Sequence, residues 1–298
     1  MINDAHCHFF STGFFAALAK QRGGGADAES LSRELQWDAP GTPEALADRW
    51  VRELDAHGVA RSALIASVPG DETSVAAAIA RHPSRFVGFF MLDPSAPDAP
   101  ERVRRALTDL GLRVMCLFPA MHHVPLQDER TLRVVEAAAA VPGAAVFVHC
   151  GVLSIAVRRR LRLPSRFDLR LGDPLAVSRL ALAFPHVPFI IPHFGAGLFR
   201  EALMAADACA NVHLDTSSSN GWIRYTPGLT LEAVFETALA VAGPSRLLFG
   251  TDSSFFPRAW QRPIYDDQRA VVERLGVSAA DAALVFGENF DRVFPRTG

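Results

Sequence analysis

The sequence predicts an α/β chain wound as a (β/α)8 TIM barrel, on three observations. Short apolar runs alternate with amphipathic segments eight times. The length, 298 residues, suits a barrel of typically ~250 residues plus insertions. The turn after the first apolar run carries His6-Cys7-His8, where a doubly wound open sheet would normally carry a glycine-rich turn. The barrel is expected to be distorted by an insertion after strand one, with Gly23-Gly24-Gly25 as a flexible patch inside it. No long low-complexity linker and no further repeat divides the chain, so residues 1–298 read as one domain.

The strand-like runs are Met1–Asp4, Ser62–Ser67, Phe86–Leu92, Arg113–Phe118, Ala145–His149, Pro188–Ile191, Asn211–Asp215 and Arg246–Gly250. Helical patterns lie between them. Thr42-Pro43 opens one, with Thr as N-cap and Pro at the first helical position, and Gly58 closes it. Asp71 opens the next, which ends before Pro83. Others read as Pro100–Leu110, Asp128–Ala140, Pro174–Phe184, Leu198–Cys209, Leu231–Val241 and Tyr265–Leu275, with a last one over Ala279–Phe286.

Composition removes several functional classes. A net charge of -2 argues against a nucleic-acid partner, which normally demands a basic excess. No apolar run reaches the ~18 residues of a membrane span, and polar residues interrupt the first run, so neither a membrane segment nor a signal peptide is expected. Cys7, Cys116, Cys150 and Cys209 are scattered, as reduced thiols of a cytoplasmic protein would be. Lys20 is the only lysine, in a polar, glycine-flanked segment, which argues against Schiff-base chemistry. No P-loop pattern is present.

The chemistry concentrates at strand ends. Side chains at i and i+2 of a strand share a face, so His6 and His8 project together while Cys7 points away, toward the outer layer. His149 closes the fifth run, His193 follows the sixth in Ile190-Ile191-Pro192-His193, and Asp252 follows the eighth in Gly250-Thr251-Asp252. Parallel barrel strands end at one face, so these residues converge on one mouth. Any one of them alone would pass as a structural histidine or a capping aspartate. Their joint placement makes a nitrogen/oxygen donor set suited to zinc, with manganese or iron(II) as alternatives.

The order D-x-H-x-H, His149, P-H-F-G, G-T-D resembles the amidohydrolase superfamily, in the branch that includes aminocarboxymuconate semialdehyde decarboxylase. Asn211-Val212-His213-Leu214-Asp215-Thr216 and Phe286-Gly287-Glu288-Asn289-Phe290 agree with it, the latter with Phe290 where a small residue is usual. The resemblance covers nearly the whole chain. It implies one divalent metal ion held by His6, His8, His149 and Asp252. Asp252 would also shuttle a proton, and His193 would act on the metal-bound water as general base or electrostatic stabiliser. Cys116 stands where binuclear members carry a bridging lysine, which implies a mononuclear site and leaves Cys116 as a buried small hydrophobe. Related barrels pair, so the resemblance also implies a homodimer.

A bound divalent cation lowers the pKa of water from ~15.7 to about 7. That chemistry fits hydrolysis of an amide, ester or lactone of a small organic acid. It fits equally the non-oxidative decarboxylation of an unsaturated or aromatic acid. A barrel that has lost catalysis and merely binds a ligand is a third reading, weakened by the presence of all five site residues. Arg224 and Arg258, flanked by Trp222, Phe255, Phe256 and Trp260, are candidates to bind a substrate carboxylate. Arg158-Arg159-Arg160, with Arg162, Arg166 and Arg170, reads as a solvated basic face, a carboxylate clamp by one of them being the functional alternative. His122 and His123 read as surface loop. His57, His82 and His186 read as helix C-terminal residues, and His213, inside a strand, is open between structure and function.

Overall fold

The structure, a computed structural model, describes residues 1–217 and 219–296. Nine parallel strands form its sheet. They are β1 (Ile2–Asp4), β2 (His8–Phe9), β3 (Val59–Ala66), β4 (Phe86–Leu92), β5 (Val114–Leu117), β6 (Ala145–Val148), β7 (Phe189–Ile191), β8 (Val212–Asp215) and β9 (Leu247–Leu248). They pair in the order β1-β3-β4-β5-β6-β7-β8-β9, and β2 adds to β3 beyond β1. Backbone bonds from Ala5 N to Phe249 O (2.8 Å), Asp252 N to His6 O (2.9 Å) and His8 N to Ser253 O (2.7 Å) join the last strand to the first. The sheet is thus a nearly closed (β/α)8 barrel. No described helix is long and apolar enough to cross a membrane.

Side-chain alternation splits the core into two layers. Phe89, Cys116, Phe147 and Ile190 fill the barrel interior. Their strand neighbours Phe90, Leu117, Val148 and Ile191 face the helices. This two-residue period is what makes a barrel strand apolar on both sides. Phe290 and Phe294, from the C-terminal helix Asn289–Val293 and the residue after it, join the interior layer.

All eight expected strand regions are occupied, and the expected helices recur within a few residues at their ends. Three features differ. The first strand is broken at Ala5–Cys7: the His6 N–H donates to Asp4 Oδ1 (2.9 Å) in place of a ladder partner. Ala5 and His6 consequently both face inward, and Cys7 falls in the outer layer. The insertion is helical, as α1 (Thr12–Arg22) and α2 (Ala28–Leu35), joined through Gly23, Gly24 and Gly25 at positive φ. Ser11 caps α1, an Asp27–Ser30 capping box opens α2, and Phe14, Phe15, Leu31 and Leu35 bury in a cluster of their own with Val157 and Leu163. The last expected helix, Ala279–Phe286, stops at Ala283 and continues as a π-turn, Leu284–Glu288.

His213 resolves toward structure. It sits on β8 with Nδ1 buried and unpartnered. Burial, helped by the charges of Arg292 and Arg246, pushes its pKa down to about 4. The unfolded chain binds this proton near pH 6.5 and the folded chain does not, so His213 erodes stability as pH falls from 6.5 toward 4. His213→Leu is expected to leave stability at pH 8 little changed and to move the acid-unfolding midpoint lower, as followed by circular dichroism. A midpoint that stays put would contradict this account.

Candidate metal centre

Six strand ends deliver the site. His6 and His8 come from the broken first strand, Ser67 follows β3, His149 follows β6, His193 follows β7, Asp215 ends β8 and Asp252 follows β9. Ligand atoms of His6, His8 and Asp252 lie within 4.8 Å of one another. His8 Nε2 is 3.1 Å and His6 Nε2 3.7 Å from Asp252 Oδ1.

Neighbouring groups set which ring nitrogen faces the centre. His6 Nδ1 donates to Asp215 Oδ2 at 2.6 Å. Ser67 Oγ donates to Ile65 O (2.9 Å), so its oxygen accepts from His8 Nδ1 (2.7 Å). His193 Nδ1 donates to Ser217 O (2.9 Å). In each ring Nδ1 therefore carries a proton, which leaves Nε2 as the nitrogen that can ligate when deprotonated. Ser217 further ties the set together, its N–H on Asp215 Oδ1 (2.6 Å) and its Oγ between His6 Nδ1 (3.0 Å) and His193 Nδ1 (2.9 Å).

The charges are matched. Burial opposes ionisation of Asp252, yet its hydrogen bond with His8 and the charge that His6 and His8 carry when protonated hold its carboxyl well below the usual range. Burial likewise opposes ionisation of Asp215, and the charge of His6 and its hydrogen bond overcome it. Burial, reinforced by neighbouring histidines, lowers His149 and His193, which keeps both imidazoles neutral.

His149 stands beside the tight group, its ring 5.3 Å from that of His193 and stacked on Phe118 at 5.2 Å. Its Nδ1 is buried without a partner. Such an orphan costs about 1–3 kcal/mol unless something binds it. The clustered Nε2 atoms of His6 and His8 and the ionised Asp252 carboxylate, with the unsatisfied His149 imidazole beside them, fit a divalent cation. Cys116 lies in the apolar interior, its thiol pushed well up by burial, so it behaves as a hydrophobe.

The backbone at the site is strained. His193, Phe194, Gly195, Ala196 and Gly197 run consecutively at positive φ, and Asp252 has φ 58°. For residues other than glycine this costs of order 1–3 kcal/mol each. The run is held by Val152 N on Ala196 O at 2.8 Å. That contact requires Gly151, where a Cβ would stand 2.1 Å from Gly195 O. Gly250 is equally confined: a Cβ there would be 2.9 Å from both His6 Cβ and Asp215 Oδ1.

Above the centre lies a cavity of about 420 Å³. Trp222, Arg224, Phe255 and Arg258 all line it, as do His6, His8, His149, His193 and Asp252. Phe10, Phe14, Trp37 and Tyr225 also line it, and sequence reasoning assigned them no place there; so does Arg158, one of the arginines for which a carboxylate clamp was the alternative to a solvated face. Trp37 stacks on Phe255 at 3.7 Å and belongs to the α1–α2 cluster. His122 is half-buried rather than a surface residue and His123 is exposed; neither lines the cavity. Asp215, Ser67 and Ser217 were likewise missed as supports of the site, although Asp215 sits where a strand-end acid is a legible signal.

A family model described as amidohydrolase matches residues 3–296. Among solved structures the chain is similar to a 5-carboxyvanillate decarboxylase from Sphingomonas paucimobilis (18% identity, 99% of each chain, TM-score 0.67). It is also similar to an amidohydrolase from Burkholderia multivorans with bound zinc (18% identity, 100% of each chain, TM-score 0.65). A third is a probable 2-pyrone-4,6-dicarboxylic acid hydrolase from Acinetobacter baumannii (13% identity, 98% of each chain, TM-score 0.62). At these identities the likeness shows the fold. A search of curated protein sequences finds no match.

Gly250→Ala is expected to lower stability by about 1–3 kcal/mol through the forced shift of His6 or Asp215. Thermal unfolding measures it, and a neutral effect would mean that the strand ends are looser than the contacts imply.

Proposed function

This chain belongs to the amidohydrolase family, and from that premise we propose a metal-dependent hydrolase of a small organic acid derivative: an amide, ester or lactone. One observation carries the reading. The Nε2 atoms of His6 and His8 and the Asp252 carboxylate lie within 4.8 Å of one another, and the Nδ1 of each imidazole is held by its own partner. His6, His8, His149 and Asp252 would hold a single divalent ion, zinc by the character of the donors, with manganese or iron(II) as alternatives. When bound, such an ion supplies charge stabilisation and activation of water.

The chain's own groups do the rest. His193, with Nδ1 fixed on Ser217, offers Nε2 as the base that takes a proton from the attacking water. Asp252, itself ionised, would relay that same proton to the leaving group and end as it began. Arg224 and Arg258 bind the substrate carboxylate, and Trp222 and Phe255 wall it from water. Four buried free thiols fit a reducing, cytoplasmic setting. The single 1–298 domain and the homodimer belong to the same proposal.

A second reading, non-oxidative decarboxylation, draws on the aromatic walls of the cavity and on the likeness to a carboxyvanillate decarboxylase. In that case Asp252 or His193 would take a proton from water and pass it to the ring carbon that loses carbon dioxide. A screen of lactones, esters, amides and aromatic acids, with carbon dioxide followed separately, decides between the two. An inactive barrel is disfavoured by the intact set of five residues.

Metal analysis of the purified protein is expected to find close to one ion per chain, and a protein that takes up none on reconstitution would overturn the proposal. His193→Ala should keep its metal and lose about 100- to 10,000-fold in turnover. Loss of the metal itself would make His193 a ligand. Asp215→Asn should weaken metal affinity by about 10–100-fold through His6, read by competition with a chelator.

A further inference from the structure

The arginine run after His149 does not act as one basic face. Arg160 turns back to α2, where Nη2 donates to Leu35 O at 2.7 Å and the guanidinium lies 5.8 Å from the Trp37 ring centre. Arg159 is exposed. Arg158 alone lines the cavity, half-buried.

Arg158 is held without being neutralised. Its Nη1 donates to Gln21 Oε1 of α1, and its Nη2 to Pro164 O, each at 2.6 Å. Those bonds use two of the five N–H groups of a guanidinium, and both acceptors are uncharged. Nε is buried and has no partner. Among the described residues no carboxylate pairs with it, and Asp252 is the only acid lining the cavity. A partly desolvated cation without a counter-ion is costly. The cost is recovered when a ligand supplies the anion. Planar N–H pairs are the geometry that a carboxylate matches.

Position separates Arg158 from the metal group. α1 begins four residues after His8 and carries Gln21 near its other end, about 14 Å along the axis. α1 thus holds the arginine on the cavity wall, whereas the metal group lies on the barrel strand ends.

We propose that Arg158 determines specificity: it binds a second carboxylate, at the end of the substrate remote from His6, His8 and Asp252, with Gln21 as its positioning partner. The preferred substrate class is therefore a dicarboxylic acid derivative. This rests on the cavity being the substrate site of the proposed hydrolase, and it adds a second anionic subsite to it.

Calorimetry on the zinc-loaded chain tests it with two pairs of probes: benzoate against terephthalate, and biphenyl-4-carboxylate against biphenyl-4,4′-dicarboxylate. In at least one pair the diacid should bind about tenfold or more tightly than the monoacid, the scale of a charge-assisted hydrogen-bonded pair. Arg158→Gln should abolish that advantage and leave monoacid affinity in place. No advantage in the native chain, an advantage that survives Arg158→Gln, or an equal loss for monoacid and diacid would each overturn the proposal. If Arg158→Gln does not fold, Arg158→Lys decides by the same reading, since it keeps the charge and loses the planar fork: a narrowed advantage supports the proposal and an unchanged one overturns it. Zinc and monoacid binding by the native chain report on the proposed function separately. Their absence sinks that reading, whereas their presence without a diacid advantage sinks only this one.

Discussion

The structure depends on one buried carboxylate that is not itself in the site. Asp4 accepts from His6 N (2.9 Å), Thr251 N (3.1 Å), Thr251 Oγ1 (2.6 Å) and Trp260 Nε1 (2.7 Å). Burial raises its pKa, and these hydrogen bonds act against that rise. The four donors come from both sides of the barrel seam. They close the cylinder where the backbone ladder is thinnest, and they force the break after β1 that turns His6 inward beside Ala5. Without that slip, strict alternation along the first strand would put Cys7 inward and the two histidines among the helices.

Closure at the seam places His6 against Asp215 and His8 against Asp252, groups more than 200 positions away. The price is local strain. His193 and Asp252, two residues proposed to handle protons, both occupy the left-handed region. Glycines bear the tightest approaches around them: Gly151 under the His193 turn and Gly250 against His6. Rigid strand ends and close backbone contacts hold the imidazoles within hydrogen-bond tolerance of their partners, as a preorganised centre requires.

The cavity is a composite of two scaffolds. Its floor is the barrel mouth, and much of its wall comes from α1, α2 and the segment around Arg158, which share an apolar cluster apart from the barrel cores. Floor and wall meet at the stacked Trp37 and Phe255. On the proposed reading, chemistry falls to the floor and selectivity to the wall, the common arrangement of barrel enzymes, where loops vary on a constant strand frame.

By itself the sequence determined the strand order, most helix limits and the identity of the five polar residues at the mouth. Each is written locally: in two-residue alternation, in caps such as Thr42 and Asp128, and in histidines or aspartate at strand ends. Only the tertiary structure decided the rest. The helices of the insertion were hidden because Phe14, Phe15 and Leu18 bury against Trp37, Val157 and Leu163, a face that exists only once distant segments meet. The partners that fix each imidazole, Asp215, Ser67 and Ser217, lie 24 to 209 positions away from it. Arg158 differs from Arg159 only in what the fold sets beside it. Local pattern encodes which face a residue takes, whereas the pairing of faces across the barrel is a property of closure, which no short stretch of sequence contains.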